Sequence, residues 1–447
     1  MAADIRALDA LTLRDRLASG ALRAVEVAEA YLARIVEREP EINAWAWHDP
    51  EFILKQAKEL DTLRGRGRGV GPLHGIPVGL KDVIDTARIP TENGCPVDQG
   101  RVPSHDAFVV EALRRAGAII MGKTVTTELA FLYPGATKNP NAQDHTAGGS
   151  SSGSAAAVAD AMVPLAIGTQ TGGSVIRPAA FCGVTGFKPT FGAIPRRGVL
   201  QQSQSLDTLG VFARSPAEAA LVGDALFGYD AADTATTFAP PPDLLGTCQS
   251  KPPFEPVFAF VKPPGWDNAD KDTHDAFATL CEALGEQVFE VPLPSAFDNA
   301  AALRQRINYA EMAKNYYRYA RHLDQLGPQT REALEEGAVI PASDYLAALD
   351  WREVLYSGLT EIFDRADAIL CPAAPGAAPR GLESTGDSIF NGLWTYCGTP
   401  SITVPILSAT NDLPMGVQLV SARGDDARLL RTAQWLYDWA GDDGGET

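Results

Sequence analysis

Between Gly148 and Gly198 the chain is rich in Gly, Ser, Thr and Ala and carries few charges, and this stretch constrains everything around it. A flexible linker shares the small residues, but it does not also carry Ala155-Ala-Ala-Val-Ala159, Val163-Pro-Leu-Ala-Ile167 and Val184. Small side chains among apolar runs instead let backbone approach backbone, or a ligand approach backbone, inside a folded core. The stretch therefore reads as the centre of a globular domain and the place to look for a site.

The flanking segments alternate in type. Val25, Ala28, Leu32 and Ile35 recur at helical spacing, and Glu26, Glu29 and Arg34 take the other face. After an Arg/Gly loop from Arg64 to Gly71, Gly75–Leu80 predicts a buried strand ending at Lys81. A helix from Asp106 to Ala116, stopped by Gly117, precedes a strand over Ala118–Met121. A Pro- and Thr-rich crossing runs from about Asp233 to Pro256. Beyond it, strands are expected at Val257–Val261, Gln287–Val291, Ala368–Leu370, Ile402–Val404 and Gly416–Val420. Helices are expected at Asp270–Leu284, Ala301–Leu323, Ala342–Phe363 and Ala427–Trp439, with a frayed tail from Gly441. Such alternation predicts an α/β layered fold.

Composition narrows the function. Lys and Arg number 38 against 56 Asp and Glu, a formal charge of -18, which repels phosphate backbones and argues against nucleic acid as a partner. The six cysteines and six histidines form no metal-ligand spacing. No apolar run of about 18 residues could span a bilayer, and the start lacks a secretory pattern. A cytoplasmic enzyme without metal or cofactor is expected.

A hydrolase that splits an amide without a metal needs a nucleophile, a base and a site for the oxyanion. None of the histidines lies in a G-x-S-x-G elbow or an HExxH array; His145 draws notice only because it precedes the Gly-rich stretch by three residues. Lysine is left as base and serine as nucleophile. Three segments stand out: Gly79-Leu-Lys-Asp-Val83, Gly148-Gly-Ser-Ser-Ser-Gly-Ser154 and Gly168-Thr-Gln-Thr-Gly-Gly-Ser174. With Gly122-Lys-Thr124, Gly183-Val-Thr-Gly-Phe-Lys-Pro-Thr190, Leu206-Asp-Thr208, Asn391-Gly-Leu-Trp-Thr395 and Gly398-Thr-Pro400, they resemble the amidase signature family over nearly the whole chain. The resemblance implies one α/β/α domain over residues 1–447 with a large mixed sheet. Helices would fill about 1–65, a catalytic core about 70–215 and a C-terminal part about 255–440. It also implies Lys81 as base, Ser150 as a bridging serine behind a cis peptide bond, and Ser174 as nucleophile.

Elementary chemistry is consistent with those roles. A serine hydroxyl is a weak nucleophile until a base takes its proton. A lysine is a base only when neutral, so its pKa must fall from about 10.4 to near 7, at a cost of about 4–5 kcal/mol that an apolar enclosure can impose. Ile76–Leu80 supplies apolar residues before Lys81. Ser150 has a plainer reading as the N-cap of a following helix, and Ser151 or Ser152 could cap in its place. Gly172 and Gly173 lack Cβ atoms, so Thr171, Gly172, Gly173 and Ser174 can turn N–H groups toward one point and form an oxyanion hole.

Three positions depart from the commoner family pattern. Gln170 stands where Asp is frequent, and Arg177 follows Ser174 by three places, as in the malonamidase-type branch, where such an Arg holds a substrate carboxylate. Arg177 could grip a carboxylate in bidentate fashion or anchor the loop through backbone carbonyls. Ala147 replaces a frequent Pro. Phe131 and Tyr133 are candidate pocket residues and equally candidate core. The expected activity is hydrolysis of small or aryl amides, with esters and carbamates accessible through the same tetrahedral intermediate. The expected partner is a small-molecule amide, and a homodimer is allowed. A glutaminase-type subunit of a tRNA-dependent amidotransferase is the alternative, and a non-catalytic scaffold the third reading.

Overall fold

The alternating segments pair into one sheet that runs through most of the chain. The structure, a computed structural model, describes residues 4–68 and 71–443. Its strands are β1 (Trp45–Trp47), β2 (Pro77–Lys81), β3 (Ile119–Thr124), β4 (Lys138–Asn139), β5 (Ala142–Thr146), β6 (Leu165–Gln170), β7 (Thr185–Lys188), β8 (Thr208–Ala213), β9 (Phe258–Phe260), β10 (Val288–Glu290), β11 (Ala368–Pro372), β12 (Ser401–Ser408) and β13 (Pro414–Val420). Eleven of them form the sheet, in the order β1-β3-β2-β6-β8-β7-β12-β13-β11-β9-β10, and β4 pairs with β5 apart from it. The sheet is mixed: β2 lies parallel to β3 and β6, whereas β8 runs antiparallel to β6 and β7.

Helices cover the sheet in two groups. Pro216–Leu226, Leu244–Cys248 and Asp426–Asp443 pack on one another and on the sheet, and Ser152–Ala159 packs on Ile176–Cys182 and on strands β2, β3 and β6. This is the expected α/β layered architecture. The strands at its centre are buried along their whole length, which explains why Val78, Leu80, Ile167, Val211 and Phe212 read as near-continuous apolar runs.

Some boundaries differ from expectation for physical reasons. The helix expected over Ala301–Leu323 ends at Asn315 and continues as short 3₁₀ turns, and a further helix, Pro328–Ala338, follows. The last helix persists to Asp443, so the fraying expected from Gly441 does not begin there, and residues 444–447 lie outside the described residues. Neither Ser151, which precedes the helix, nor Ser152, its first residue, caps it with a side-chain hydrogen bond. Ser151 Oγ instead bridges to the Thr169 backbone, accepting from its N–H at 3.3 Å and donating to its carbonyl at 3.2 Å. That bond ties the serine-rich loop to the end of β6. No helix among the described residues is long and apolar enough to cross a membrane.

The small residues are used as the sequence suggests. A Cβ placed on Gly153 would lie 2.2 Å from the Ala44 carbonyl oxygen and 2.4 Å from the Val125 nitrogen, both backbone atoms that cannot swing aside. Gly153→Ala is therefore expected to destabilise the protein by about 1–3 kcal/mol, read as a lower urea midpoint at unchanged slope. An unchanged midpoint would contradict this packing.

Candidate active site

Topology brings the separated motifs together. Because β2 and β6 are parallel neighbours, their C-terminal ends lie on one edge of the sheet, where open α/β sheets commonly bind ligands. Lys81 ends β2, Thr169 and Gln170 end β6, and the Gly148–Ser151 segment reaches both ends through Ser150 and Ser151. Lys81 Nζ donates to Ser150 Oγ at 2.7 Å and to Thr169 Oγ1 at 2.8 Å. Its side chain is fully buried, and burial holds its pKa well below the ordinary lysine value, with the Asp207 carboxylate pulling the other way.

Two other lysines are as deeply buried, and their partners set them apart. Lys188 Nζ donates to the carbonyls of Pro189 and Thr399. Lys123 Nζ donates to the Ile84 carbonyl and to Thr91 Oγ1, and lies 3.4 Å from Asp82. Burial lowers both pKa values, to about 7 for Lys188 and about 8 for Lys123. A carbonyl cannot give up a proton, so Lys188 can only tie segments together. Lys81 alone of the three contacts hydroxyls only, and hydroxyls can exchange protons with it.

Ser174 follows a loop held open by its neighbours. The Gln170 side chain accepts from the backbone N–H groups of Val175 at 2.8 Å and Ile176 at 3.0 Å, and donates to Thr395 Oγ1 at 3.0 Å. Thr395 in turn donates to the Gly172 carbonyl at 2.7 Å. Asp207 accepts from the Thr171 hydroxyl at 2.5 Å and from the N–H groups of Gln202 and Ser203; burial lifts its pKa to about 6. Carbonyls and hydroxyls of the loop are thus engaged. The backbone N–H groups of Thr171, Gly172, Gly173 and Ser174 meet no protein acceptor among the described residues, and so remain free to donate to an anionic oxygen. Gly173 is required for a second reason: a Cβ there would lie 2.3 Å from Asn391 Oδ1.

These residues open on a cleft of about 460 Å³ lined by Phe131, Gly172, Gly173, Ser174, Arg177 and Arg304, among others. The Gly149–Ser150 peptide bond is cis. Arg177 is buried, and its Nη2 donates to the Gly149 carbonyl at 2.7 Å and to Thr385 Oγ1 at 3.1 Å, which is the loop-anchoring arrangement. Burial lowers its pKa to about 10. Phe131 is both core and pocket: it is buried, lines the cleft and meets the Tyr309 ring edge-on at 5.9 Å. Tyr133 is a correction to the pocket expected from sequence. It does not line the cleft; it is 45% exposed and lies against Gly327, although Phe131 and Leu132, which follow the left-handed pair Leu129 and Ala130 (φ 49° and 58°), do line it. Two successive non-glycine residues in the left-handed region are costly and leave no sequence signature. His145 bonds to Asp144 and is not part of the cleft lining, nor is any other histidine among the described residues. Arg304, Asn308, Tyr309 and Ser388, which also line the cleft, carry no signal in the sequence. They stand far along the chain, and no local pattern links them to Ser174.

The sequence model of the Amidase family matches residues 26–430. The chain belongs to the amidase family. Among curated relatives of this amidase, a glutamyl-tRNA(Gln) amidotransferase subunit from Chloroflexus aggregans is 34% identical over 95% of each chain. Its counterpart from Streptomyces coelicolor is 31% identical over 96% of this amidase and 95% of the relative. Among solved structures, the peptide amidase of Stenotrophomonas maltophilia superposes with a TM-score of 0.82 at 30% identity, covering 97% of this chain and 96% of that one. A chain of a vestigial protein complex, described as revealing the evolutionary origins of an s-triazine catabolic enzyme, superposes with a TM-score of 0.89 at 27% identity, covering 97% and 98%. The protein is an amidase-family hydrolase on the amidase α/β fold.

Proposed function

We propose that this amidase hydrolyses the carbon–nitrogen bond of small amides through an acyl-enzyme on Ser174. The observation that carries the reading is the buried Lys81 amine, whose two partners are the hydroxyls of Ser150 and Thr169. Neutral Lys81 takes the Ser150 proton as Ser150 takes that of Ser174, and Ser174 Oγ attacks the substrate carbonyl. The free N–H groups of Thr171, Gly172, Gly173 and Ser174 receive the oxyanion. The proton then returns through Ser150 to the departing amine, and water resolves the ester by the same relay. Esters and carbamates fit the same intermediate.

A second reading has its own support. The curated relatives cited above are amidotransferase subunits, which favours a glutaminase-type subunit that passes ammonia to a partner. Both readings use the same hydrolytic step, and they differ in substrate and company. A turnover panel of primary amides, anilides, peptide amides, esters, carbamates and glutamine, run on the isolated chain, separates them. Turnover of simple amides supports the free amidase. Glutamine turnover that appears only with a co-purifying partner supports the glutaminase reading. No hydrolysis of any of them, with no labelling of Ser174 by a sulfonyl fluoride, removes both.

Arg177 is proposed to position the Gly149 carbonyl and not to clamp a substrate carboxylate, because its Nη2 is already engaged. Arg177→Gln is expected to lower kcat/KM by about 10- to 100-fold, the worth of a lost charged hydrogen bond, and equally for charged and neutral amides. A loss confined to carboxylate-bearing amides would restore the clamp.

A further inference from the structure

The cleft holds a second guanidinium whose position no motif announces. Arg304, on the helix Ala300–Asn315, lines the cleft with Ser174. A Cβ placed on Gly172 would lie 3.3 Å from its Nη1, and one on Gly392 2.8 Å from its Nε, so the side chain lies directly against the loop that precedes Ser174. Arg304 differs from Arg177 in what it touches. It donates to no protein acceptor and pairs with no carboxylate within 4.0 Å among the described residues, whereas its Nε, like that of Arg177, is buried without a partner. An arginine carries five donors and is charged at any physiological pH. Its Nη groups open on the cleft with no protein acceptor, a placement that suits an entering carboxylate.

We infer that Arg304 is a specificity residue that receives a carboxylate of the substrate, so that the preferred amides are short monoamides bearing that carboxylate on the acyl side. This rests on the amide-hydrolase reading above. The acyl group must be short because the guanidinium abuts Gly172, two residues before Ser174. An α-ammonium on the substrate is disfavoured. Two guanidiniums, Arg177 and Arg304, line the cleft against one carboxylate, Asp387, among the described residues.

The test compares succinamate with its neutral counterpart butyramide, and with glutamine, in wild type and Arg304→Gln. Wild type is expected to favour succinamate. Arg304→Gln should lose about 30-fold or more in kcat/KM on succinamate, mainly through KM, and change little on butyramide, since truncating one side of a desolvated charge pair costs at least that much. Butyramide turnover also reports that the variant is folded. Equal losses on both amides, or a loss on neither, overturn the inference. A loss confined to glutamine overturns it in favour of amino-acid recognition. If wild type cleaves butyramide in a Ser174-dependent way without preferring succinamate, the inference alone fails; if it cleaves neither, the amide-hydrolase reading fails as well.

Discussion

Ser174→Ala is expected to reduce amide turnover by at least about 10⁴-fold while leaving the fold intact. Loss of a serine nucleophile in a Ser-based hydrolase costs about 10⁶ in kcat, and binding plus the oxyanion site account for what is left. The structure gives reasons for both parts of the expectation. Ser174 is partly exposed in the cleft and its hydroxyl takes part in no hydrogen bond among the described residues, so it can be removed without orphaning a buried partner. The loop around it is held by Gln170, Thr395 and Asp207, none of which touches the Ser174 hydroxyl. The free N–H groups therefore stay in place in the alanine variant, which should still bind substrate. Turnover within a few-fold of wild type, or covalent labelling by a sulfonyl fluoride that persists at the same site, would sink the assignment of Ser174.

Lys81→Ala should cost about 10²–10⁴-fold, the usual worth of a general base. The sharper readout is pH. Lys81 must be neutral to accept a proton, so kcat/KM should rise as pH rises through its pKa and level off above it. Burial lowers that pKa, so the midpoint of the acid limb should fall well below the ordinary lysine value of 10.5. Asp207 acts in the opposite direction, since its negative charge favours the ammonium form. Asp207→Asn should therefore shift the acid limb to lower pH, and a shift to higher pH would contradict the charge relation. A midpoint near 10.5 in wild type, or an acid limb unchanged in Lys81→Ala, would exclude Lys81 as the base. Thr169 shares the amine with Ser150, and this shared contact is the reason the lysine can sit buried yet oriented toward hydroxyls.

Much of this is legible in the sequence, and what is legible has a common cause. Lys81, Ser150, Ser174 and the glycines before Ser174 occupy short local motifs, because turning a chain sharply and bringing backbone donors to one point requires specific residues at adjacent positions. The buried strands show as apolar runs, and the helix expected over Ala342–Phe363 has those same boundaries in the structure. These are properties of neighbours in the chain, and the amino-acid order determines them directly.

The rest depends on residues that meet only after folding. Whether Arg177 faces a ligand or a carbonyl is decided by where the Gly149 peptide lies, and that is a matter of how the serine loop packs on the helix Ile176–Cys182. Tyr133 reads as a candidate pocket residue, yet its ring packs against Gly327 and lies outside the cleft that Phe131 and Leu132 line. Three lysines are equally buried, and nothing local separates the one surrounded by hydroxyls from those held by carbonyls. Arg304 is the clearest case: its segment is an ordinary helix, and its place beside Gly172 arises from long-range packing of Ala300–Asn315 against Ile389–Cys397. Local order therefore determined the candidate reacting groups of this amidase. Tertiary packing alone decided which charges face the cleft, because charge and burial at a point in space depend on every segment that reaches it.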